Sequence, residues 1–523
     1  MQTVNTSRYA VTASLLLAAA AAAIPEEVAA QAPSTAAAEI GTSPLEQHLR
    51  RDIAVLAHDS LRGRATPSPG LESAARFVAA EFARAGLEPF LRDTHVWRYP
   101  VADTEIIPES VTVVLPPHPP VRLGGTLAVL DDHGAPRQAK GDLVLVTGEI
   151  TASTVAHLDF SGATLLVPRS GAQGGLDRSQ IYQWAGPLME SNPLAIIYVS
   201  DLPDTSLRAL NAGLPKRRRW IGMDPLELRQ PLRVSHGIFV VRPEVVAPVL
   251  SARGIDVMQL LTETASPLRV QRLTGQDVRV DVPRHQLSRM TAPLVVGLLR
   301  GSDPRLRDEL VVVSAHLDHL GVGNPAANGD SIYNGADDNA SGVAVMLAVA
   351  RELRAGGKTP RRSVLFIATS GEESGFWGSD FFVGSADTPV ERMVANINVD
   401  GVGRPAWTDS VAVLGGAWST LGDAALVAAR KANVGIAPSF APHARYAQSD
   451  HYSFARRGIP SVHVYSGKLH PYYHSPDDQI DVIDFPWLTR LARYVSALVA
   501  HTGNEDVKPT WTDSYRQTGK TPW

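Results

Sequence analysis

The spacing of hydrophobic positions changes along the chain, and each change predicts a different kind of structure. Between Pro44 and Pro89 the spacing is helical: Leu71, Ala75, Val78 and Phe82 share a face, Gly86 stands where a C-terminal cap would, and Pro89 bars continuation. The preceding stretch, Leu61-Arg62-Gly63-Arg64-Ala65-Thr66-Pro67-Ser68-Pro69-Gly70, reads as a loop. From Trp97 to about Val282 short β-type runs take over, among them 143–146, 164–167, 195–199 and 238–241, separated by Gly, Pro and Asp. They predict a separate, mainly β module, in which the basic run Lys216-Arg217-Arg218-Arg219 reads as a solvated loop. From Pro293 onward, strand-like runs at 310–314, 363–369, 394–399 and 461–465 alternate with helical stretches at 341–355 and 421–432. Such alternation predicts an α/β sandwich on a largely parallel sheet. In the first of these helices Val343, Met346, Leu347, Ala350 and Leu353 fall on one face, which is core packing.

The amino-terminal residues follow another pattern. Arg8 precedes an uncharged apolar run from Tyr9 to Ile24, followed by small residues that include Val28-Ala29-Ala30. This reads as a signal peptide cleaved after Ala30, its apolar run being shorter than the ~20 residues of a membrane span; an uncleaved anchor is the alternative. The expected location is secreted or periplasmic, without stable membrane insertion after cleavage. At the other end, the residues after Asn504 are polar apart from Trp511 and Trp523 and read as a tail.

Composition narrows the chemistry. The 523 residues include no cysteine, which removes thiol nucleophiles, iron–sulfur clusters and thiolate zinc sites together. Any metal must be held by His, Asp and Glu. A formal net charge of -4 offers no long-range attraction for nucleic acid. HExxH and GxSxG motifs are also missing from the sequence.

Ligands in open α/β sheets gather at the carboxyl ends of strands, and here the residues that follow the apolar runs are metal-ligand types. After Val311-Val312-Val313 comes His316-Leu317-Asp318, after Phe366-Ile367-Ala368 comes Glu372-Glu373, and after Ile397-Asn398-Val399 comes Asp400. Asn334-Gly335-Ala336-Asp337-Asp338-Asn339-Ala340-Ser341-Gly342 precedes the first helix, and His470-Pro471-Tyr472-Tyr473-His474-Ser475-Pro476 follows the last strand. Any one of these has an ordinary explanation, since an Asp before a helix is usually an N-cap and a Glu pair a solvated loop. Their coincidence at successive strand ends is harder to set aside. Nothing in the spacing of His319, His443, His451, His463 or His470 assigns them a partner.

Taken together, these motifs resemble the co-catalytic di-zinc exopeptidases that include bacterial leucyl aminopeptidases, aminopeptidase Y and glutamate carboxypeptidase. The resemblance also takes in the Leu-Arg-Gly-Arg loop, Thr291-Ala292-Pro293 through His319, Gly371-Glu372-Glu373-Ser374-Gly375 and Ser449-Asp450-His451. It implies a three-layer α/β/α sandwich on a mixed, largely parallel sheet, with an inserted β-rich protease-associated domain. The implied organisation is a signal peptide at 1–30, peptidase segments at 31–110 and 286–505, the insertion at 111–285 and a tail at 506–523.

Carried over residue by residue, the resemblance implies two Zn2+ ions bridged by Asp338, with His316 and Asp400 on one and Glu373 and His474 on the other. Asp318 would orient the His316 imidazole, and the Asp338-Asn339 peptide bond would be cis. Glu372 would act as general base on a metal-bridging water, and the Tyr473 hydroxyl would stabilise the tetrahedral oxyanion. The activity implied is that of a secreted metallopeptidase on peptides or small amides, first of all an aminopeptidase. A carboxypeptidase for acidic C-termini and a glutaminyl cyclase remain open on the same fold, as does a receptor-like binding protein without catalysis. Arg404, Trp407, Trp377, Tyr446 and Lys468 are candidate pocket-wall residues. Oligomeric state is not legible.

Overall fold

The computed structural model describes residues 42–131, 137–155, 158–160, 162–170, 185–189, 191, 193–221, 237–263, 266–357, 359–405, 409–437, 446–466 and 470–513. The expected signal peptide, Trp407, His443, Lys468 and Trp523 lie outside them.

Strand 310–316, Leu-Val-Val-Val-Ser-Ala-His, is buried throughout, as a parallel strand covered on both faces must be. Its alternate residues face opposite ways. Val311, Val313 and Ala315 join a cluster with Val343 and Leu347 of helix Gly342–Ala355 and Leu491 and Val495 of helix Phe485–Asn504. Leu310 and Val312 join Phe382 and Phe454 on the other side. Helices therefore cover both faces of one sheet, giving three layers.

That sheet has nine strands in the order 435–436, 410–414, 461–465, 393–399, 310–316, 363–369, 284–299, 96–106 and 217–221. The strands 461–465, 393–399, 310–316 and 363–369 run parallel, and 410–414 and 284–299 flank them antiparallel. The parallel strands end on one rim, where the loops bearing the candidate ligands meet.

The amino-terminal helices Pro44–Leu56 and Pro69–Arg84 start where local chemistry says they should. Ser43 and Ser68 accept from the main-chain N–H of Glu46 and Leu71, and each helix has proline in its first turn. Leu71, Ala75, Val78 and Phe82 are all buried, as their spacing predicts. Between the helices, Asp59–Arg64 forms tight turns. Gly63 there has φ 66°, and a Cβ on it would lie 2.3 Å from the Gly321 carbonyl oxygen, so only glycine fits.

A second, eight-stranded sheet is built from strands within residues 112–282 and has core clusters of its own. Helices Asp204–Ala212, Pro243–Ser251 and Val257–Thr262 belong to this stretch. Two segments of the expected β module go elsewhere: strand Val96–Ile106 lies in the nine-stranded sheet, and so does Arg217–Ile221. The arginines of the basic run thus lie on a strand and not in a loop, with Arg217 and Arg219 still exposed. Its arginines are spaced to meet acidic partners: Arg219 pairs with Asp103 at 2.8 Å, Arg217 with Glu105 at 3.4 Å and Arg218 with Asp131 at 3.4 Å. Trp220 and Ile221 then bury their side chains in the core. Cross-strand ion pairs plus an apolar end convert a charge run into a sheet edge.

Trp511 is buried beside Trp418 and Tyr446, and its indole N–H donates to the Gly458 carbonyl at 2.9 Å, so this part of the tail is seated on the domain. Among the described residues no helix is long and apolar enough to cross a membrane.

Candidate metal centre

His316 is the last residue of strand 310–316, Glu372 and Glu373 follow strand 363–369, and Asp400 follows strand 393–399. His474 comes from the segment after strand 461–465, and Asp338 from the turn that enters helix Gly342–Ala355. His474 takes a left-handed backbone, with φ 54°.

The structure brings these residues together around Asp338. Asp338 Oδ1 is 3.1 Å from His316 Nε2, which is also 3.1 Å from Asp400 Oδ1. Asp338 Oδ2 is 3.1 Å from His474 Nε2, which in turn lies 3.2 Å from Glu373 Oε2. Each oxygen of one carboxylate thus faces a different donor group. Donors placed about 2.0–2.1 Å from a tetrahedral Zn2+ stand about 3.3 Å from one another, and these separations fit that spacing. His474 Nε2 is buried and makes no hydrogen bond despite its two close carboxylates, so it converges with them on a common point without bonding to them. His, Asp and Glu without sulfur suit Zn2+ among the borderline cations. The donor set therefore fits the metal pair.

Hydrogen bonds from other loops hold the cluster. The Asp338-Asn339 peptide bond is cis. Asn339 Nδ2 donates to the Val399 carbonyl at 3.0 Å, and its Oδ1 accepts from Gly342 N–H at 2.9 Å. Asp478 accepts the main-chain N–H of Asp337 at 2.9 Å and of Asp338 at 3.1 Å. Asp400 Oδ2 accepts from the Ser449 hydroxyl at 2.8 Å, which accepts in turn from Asn398 Nδ2 at 2.8 Å.

Asp318 lies against the His316 imidazole with both its main chain and its carboxylate. Its main-chain carbonyl, 3.2 Å from His316 Nδ1, orients the imidazole and leaves Nε2 facing the carboxylates. Its carboxylate lies 3.8 Å from the same Nδ1 while accepting from Thr66 Oγ1 at 2.9 Å and Glu372 N–H at 3.3 Å, and burial, opposed by His316, raises its pKa to about 6.

Charge is distributed unevenly. Burial works against ionisation of Asp338, yet the His316 and His474 imidazoles hold it well below the usual carboxylate range. Burial likewise pushes Glu373 up, but His474 and the hydrogen bond from His319 bring it down to about 2. Glu372 goes the other way. Burial raises it well above the ordinary range; His316 opposes this, and Glu373, Asp400 and Asp450 add to it. Adjacent carboxylates of opposite tendency provide one anionic donor and one carboxylate with raised proton affinity. The Tyr473 ring stacks on His474 at 3.8 Å, and burial followed by the surrounding carboxylates raises its hydroxyl well above the tyrosine range, so it stays a neutral donor.

Among the histidines without an assigned partner, His319 enters the site: its Nδ1 lies 2.8 Å from Glu373 Oε1. A candidate cation group of His319, Asp338 and Glu373 accompanies that of His316, Asp338 and Asp400. His470 contacts Asp337 at 3.1 Å, and His451 and His463 pack their rings at 4.9 Å. No spacing rule separates His319 from a surface residue, because the turn after His316 decides where it points.

Residues 295–499 match the model of Peptidase family M28. Aminopeptidase YwaD of Bacillus subtilis (strain 168) is 26% identical over 272 residues, which is 50% of this chain and 53% of the relative. A probable leucine aminopeptidase of Arthroderma otae is 30% identical over 196 residues, 36% of this chain and 52% of the relative. The chain spans about half the length of these curated relatives. Among solved structures, the aminopeptidase from Aneurinibacillus sp. strain AM-1 aligns with 88% of this chain and 94% of its own, at 19% identity and a TM-score of 0.45.

Proposed function

Because residues 295–499 match the model of Peptidase family M28, we propose that the protein is an exported zinc aminopeptidase that removes amino-terminal residues from peptides or small amides. The ions would be held by His316 and Asp400 on one side, Glu373 and His474 on the other, and Asp338 between them. The observation that carries this reading is the division of Asp338, one oxygen toward each imidazole at 3.1 Å. The relatives' names as aminopeptidases support the amino-terminal end of the substrate as the one recognised.

When bound, the metal pair would polarise the scissile carbonyl and acidify the attacking water. Glu372 takes the proton from that water on its carboxylate and returns it to the departing amine. Its raised pKa suits it to both transfers. Tyr473 Oη, neutral across the working range, donates to the oxygen that gains charge. Asp318 holds His316 in the tautomer that presents Nε2.

The test is metal analysis combined with a paired substrate assay. The purified protein should hold about two zinc equivalents, lose activity to a chelator and regain it with Zn2+. It should cleave leucine p-nitroanilide and leave N-acetyl-leucine p-nitroanilide intact. Absence of bound metal sinks the metallopeptidase reading, whereas preference for the blocked substrate sinks the aminopeptidase reading alone.

A further inference from the structure

The Glu373 carboxylate offers its two oxygens to different groups. Oε2 lies 3.2 Å from His474 Nε2, on the side shared with Asp338 Oδ2, while Oε1 lies 2.8 Å from His319 Nδ1. Resting on the metal-pair reading above, we propose that His319 is the positioning residue of the Glu373-side metal: its Nδ1–H holds Oε1 and so presents Oε2 alone to the ion.

Distance separates this role from direct ligation. His319 Nδ1 is 3.8 Å from Asp338 Oδ2, well beyond the 3.1 Å at which His474 meets the same oxygen, and its 2.8 Å approach to Glu373 is that of a charge-assisted hydrogen bond. His319 Nε2 is buried without a hydrogen-bond partner, so the ring's hydrogen bond is made through Nδ1 to Glu373, with Asp338 Oδ2 farther off at 3.8 Å.

The ring is held from two sides. A Cβ at Gly335 would lie 2.6 Å from His319 Cγ, so the turn leading to Asp338 rests directly against the imidazole. His319 main-chain N–H donates to the Arg64 carbonyl at 3.3 Å, which fixes the base of the side chain. His316-Leu317-Asp318-His319 thereby serves both ions. His316 is a donor to one, Asp318 orients His316, and His319 orients the carboxylate of the other.

The experiment titrates metal-free protein with Zn2+ against a chromophoric competitor and repeats it with Co2+ for its absorption bands. His319→Leu fills the ring's place without a donor, and His319→Asn restores an N–H near the position of Nδ1. The expected result is two ions in the wild type and an unchanged first ion in His319→Leu, with the second weakened about 10–100-fold. His319→Asn recovers most of that loss, with Co2+ bands superposing on those of the wild type. Should His319→Leu fail to fold, His319→Asn still decides: a folded Asn variant that loses the second ion, or shifts its Co2+ bands, overturns the positioning role. Wild-type affinity for both ions in folded His319→Leu overturns it as well. Fewer than two ions in the wild type defeats the metal-pair reading itself, and with it the role of His319.

Discussion

Thr66 Oγ1 donates a hydrogen bond of 2.9 Å to Asp318 Oδ2 and accepts one of 3.1 Å from Gly371 N–H. A single hydroxyl from the Leu-Arg-Gly-Arg loop therefore ties the segment after His316 to the segment that carries Glu372 and Glu373. Thr66→Val keeps the shape and removes both bonds, leaving a buried carboxylate short of one donor. The expected cost is about 1–3 kcal/mol in stability, with turnover falling about 10–100-fold because Asp318 lies against the His316 imidazole, a ligand in the proposed mechanism. Thr66→Ser should stay near wild type on both measures. Steady-state kinetics beside urea unfolding checks this, and a Thr66→Val enzyme with undiminished turnover would show the tie to be dispensable.

Arg64 works at a larger scale from the same loop. Its buried guanidinium donates to the carbonyls of Leu317 at 2.8 Å, Asn334 at 2.6 Å and Gly335 at 3.1 Å, and also to that of Leu56. It joins the end of helix Pro44–Leu56, the residue after His316 and the turn that leads to Asp338. The planar fork is what matters, since one ammonium cannot reach carbonyls on three segments. Arg64→Lys is therefore expected to cost about 3 kcal/mol or more, nearly as much as Arg64→Met, because both strand buried carbonyls. The urea midpoint at unchanged m-value measures it. A lysine variant close to wild type would mean that charge, not fork geometry, is the useful property.

Legibility in the sequence followed the range of the interaction. Strands 363–369 and 461–465 and helix Leu421–Ala432 lie where periodicity places them, because each is decided by burial of its own faces. Donor residue types recurring after apolar strands marked out the segments, and the family resemblance singled out His316, Asp338, Glu373, Asp400 and His474 within them, since spacing alone does not choose between Asp337 and Asp338 or between Glu372 and Glu373. Thr66, Arg64 and His319 could not be picked out, since a threonine, an arginine and a histidine in turns acquire their roles only from partners far away in the chain. Arg217–Ile221 misled for a related reason: a run of arginines looks solvated until Asp103 and Glu105 of another strand are set opposite it.

Glu372 and Glu373 are neighbours with opposite tendencies, one pushed up and one pulled down, so substitutions at the two positions should separate in effect. Glu372→Gln preserves size and leaves the donor set around Asp338 intact. It should lower kcat by about 10²–10⁴-fold, the range for loss of a general base, without changing zinc content. Glu373→Gln should instead release metal. Zinc analysis on both variants together with kcat distinguishes them, and equal zinc loss in both would place Glu372 among the donors.

Part of the stability toward acid should reside away from this centre, in Glu81, which is buried on helix Pro69–Arg84 and shares its arginines with the buried Asp52 of helix Pro44–Leu56. Arg351 Nη2 donates to Glu81 Oε2 at 2.6 Å and its Nη1 to Asp52 Oδ2 at 2.6 Å, while Arg51 reaches each carboxylate at 2.7 Å. Burial alone would raise the Glu81 pKa, but Arg351 and then Arg51 outweigh it and leave it below the ordinary value. A carboxyl depressed in the folded state contributes stability that is complete above its unfolded pKa of about 4.3 and disappears as pH falls through the lower folded value. Glu81→Gln should thus cost most at neutral pH, about 3 kcal/mol, at the lower end for a broken buried pair because Asp52 still neutralises both arginines in part. Below about pH 4 the wild-type and variant curves should converge, since the wild type then loses the same charge by protonation. Urea unfolding of both proteins from about pH 7 to about pH 3 measures the gap. A gap that stays constant across that range would assign the cost of the substitution to packing or neutral hydrogen bonding, and the arginine pairs would then hold no share in acid stability.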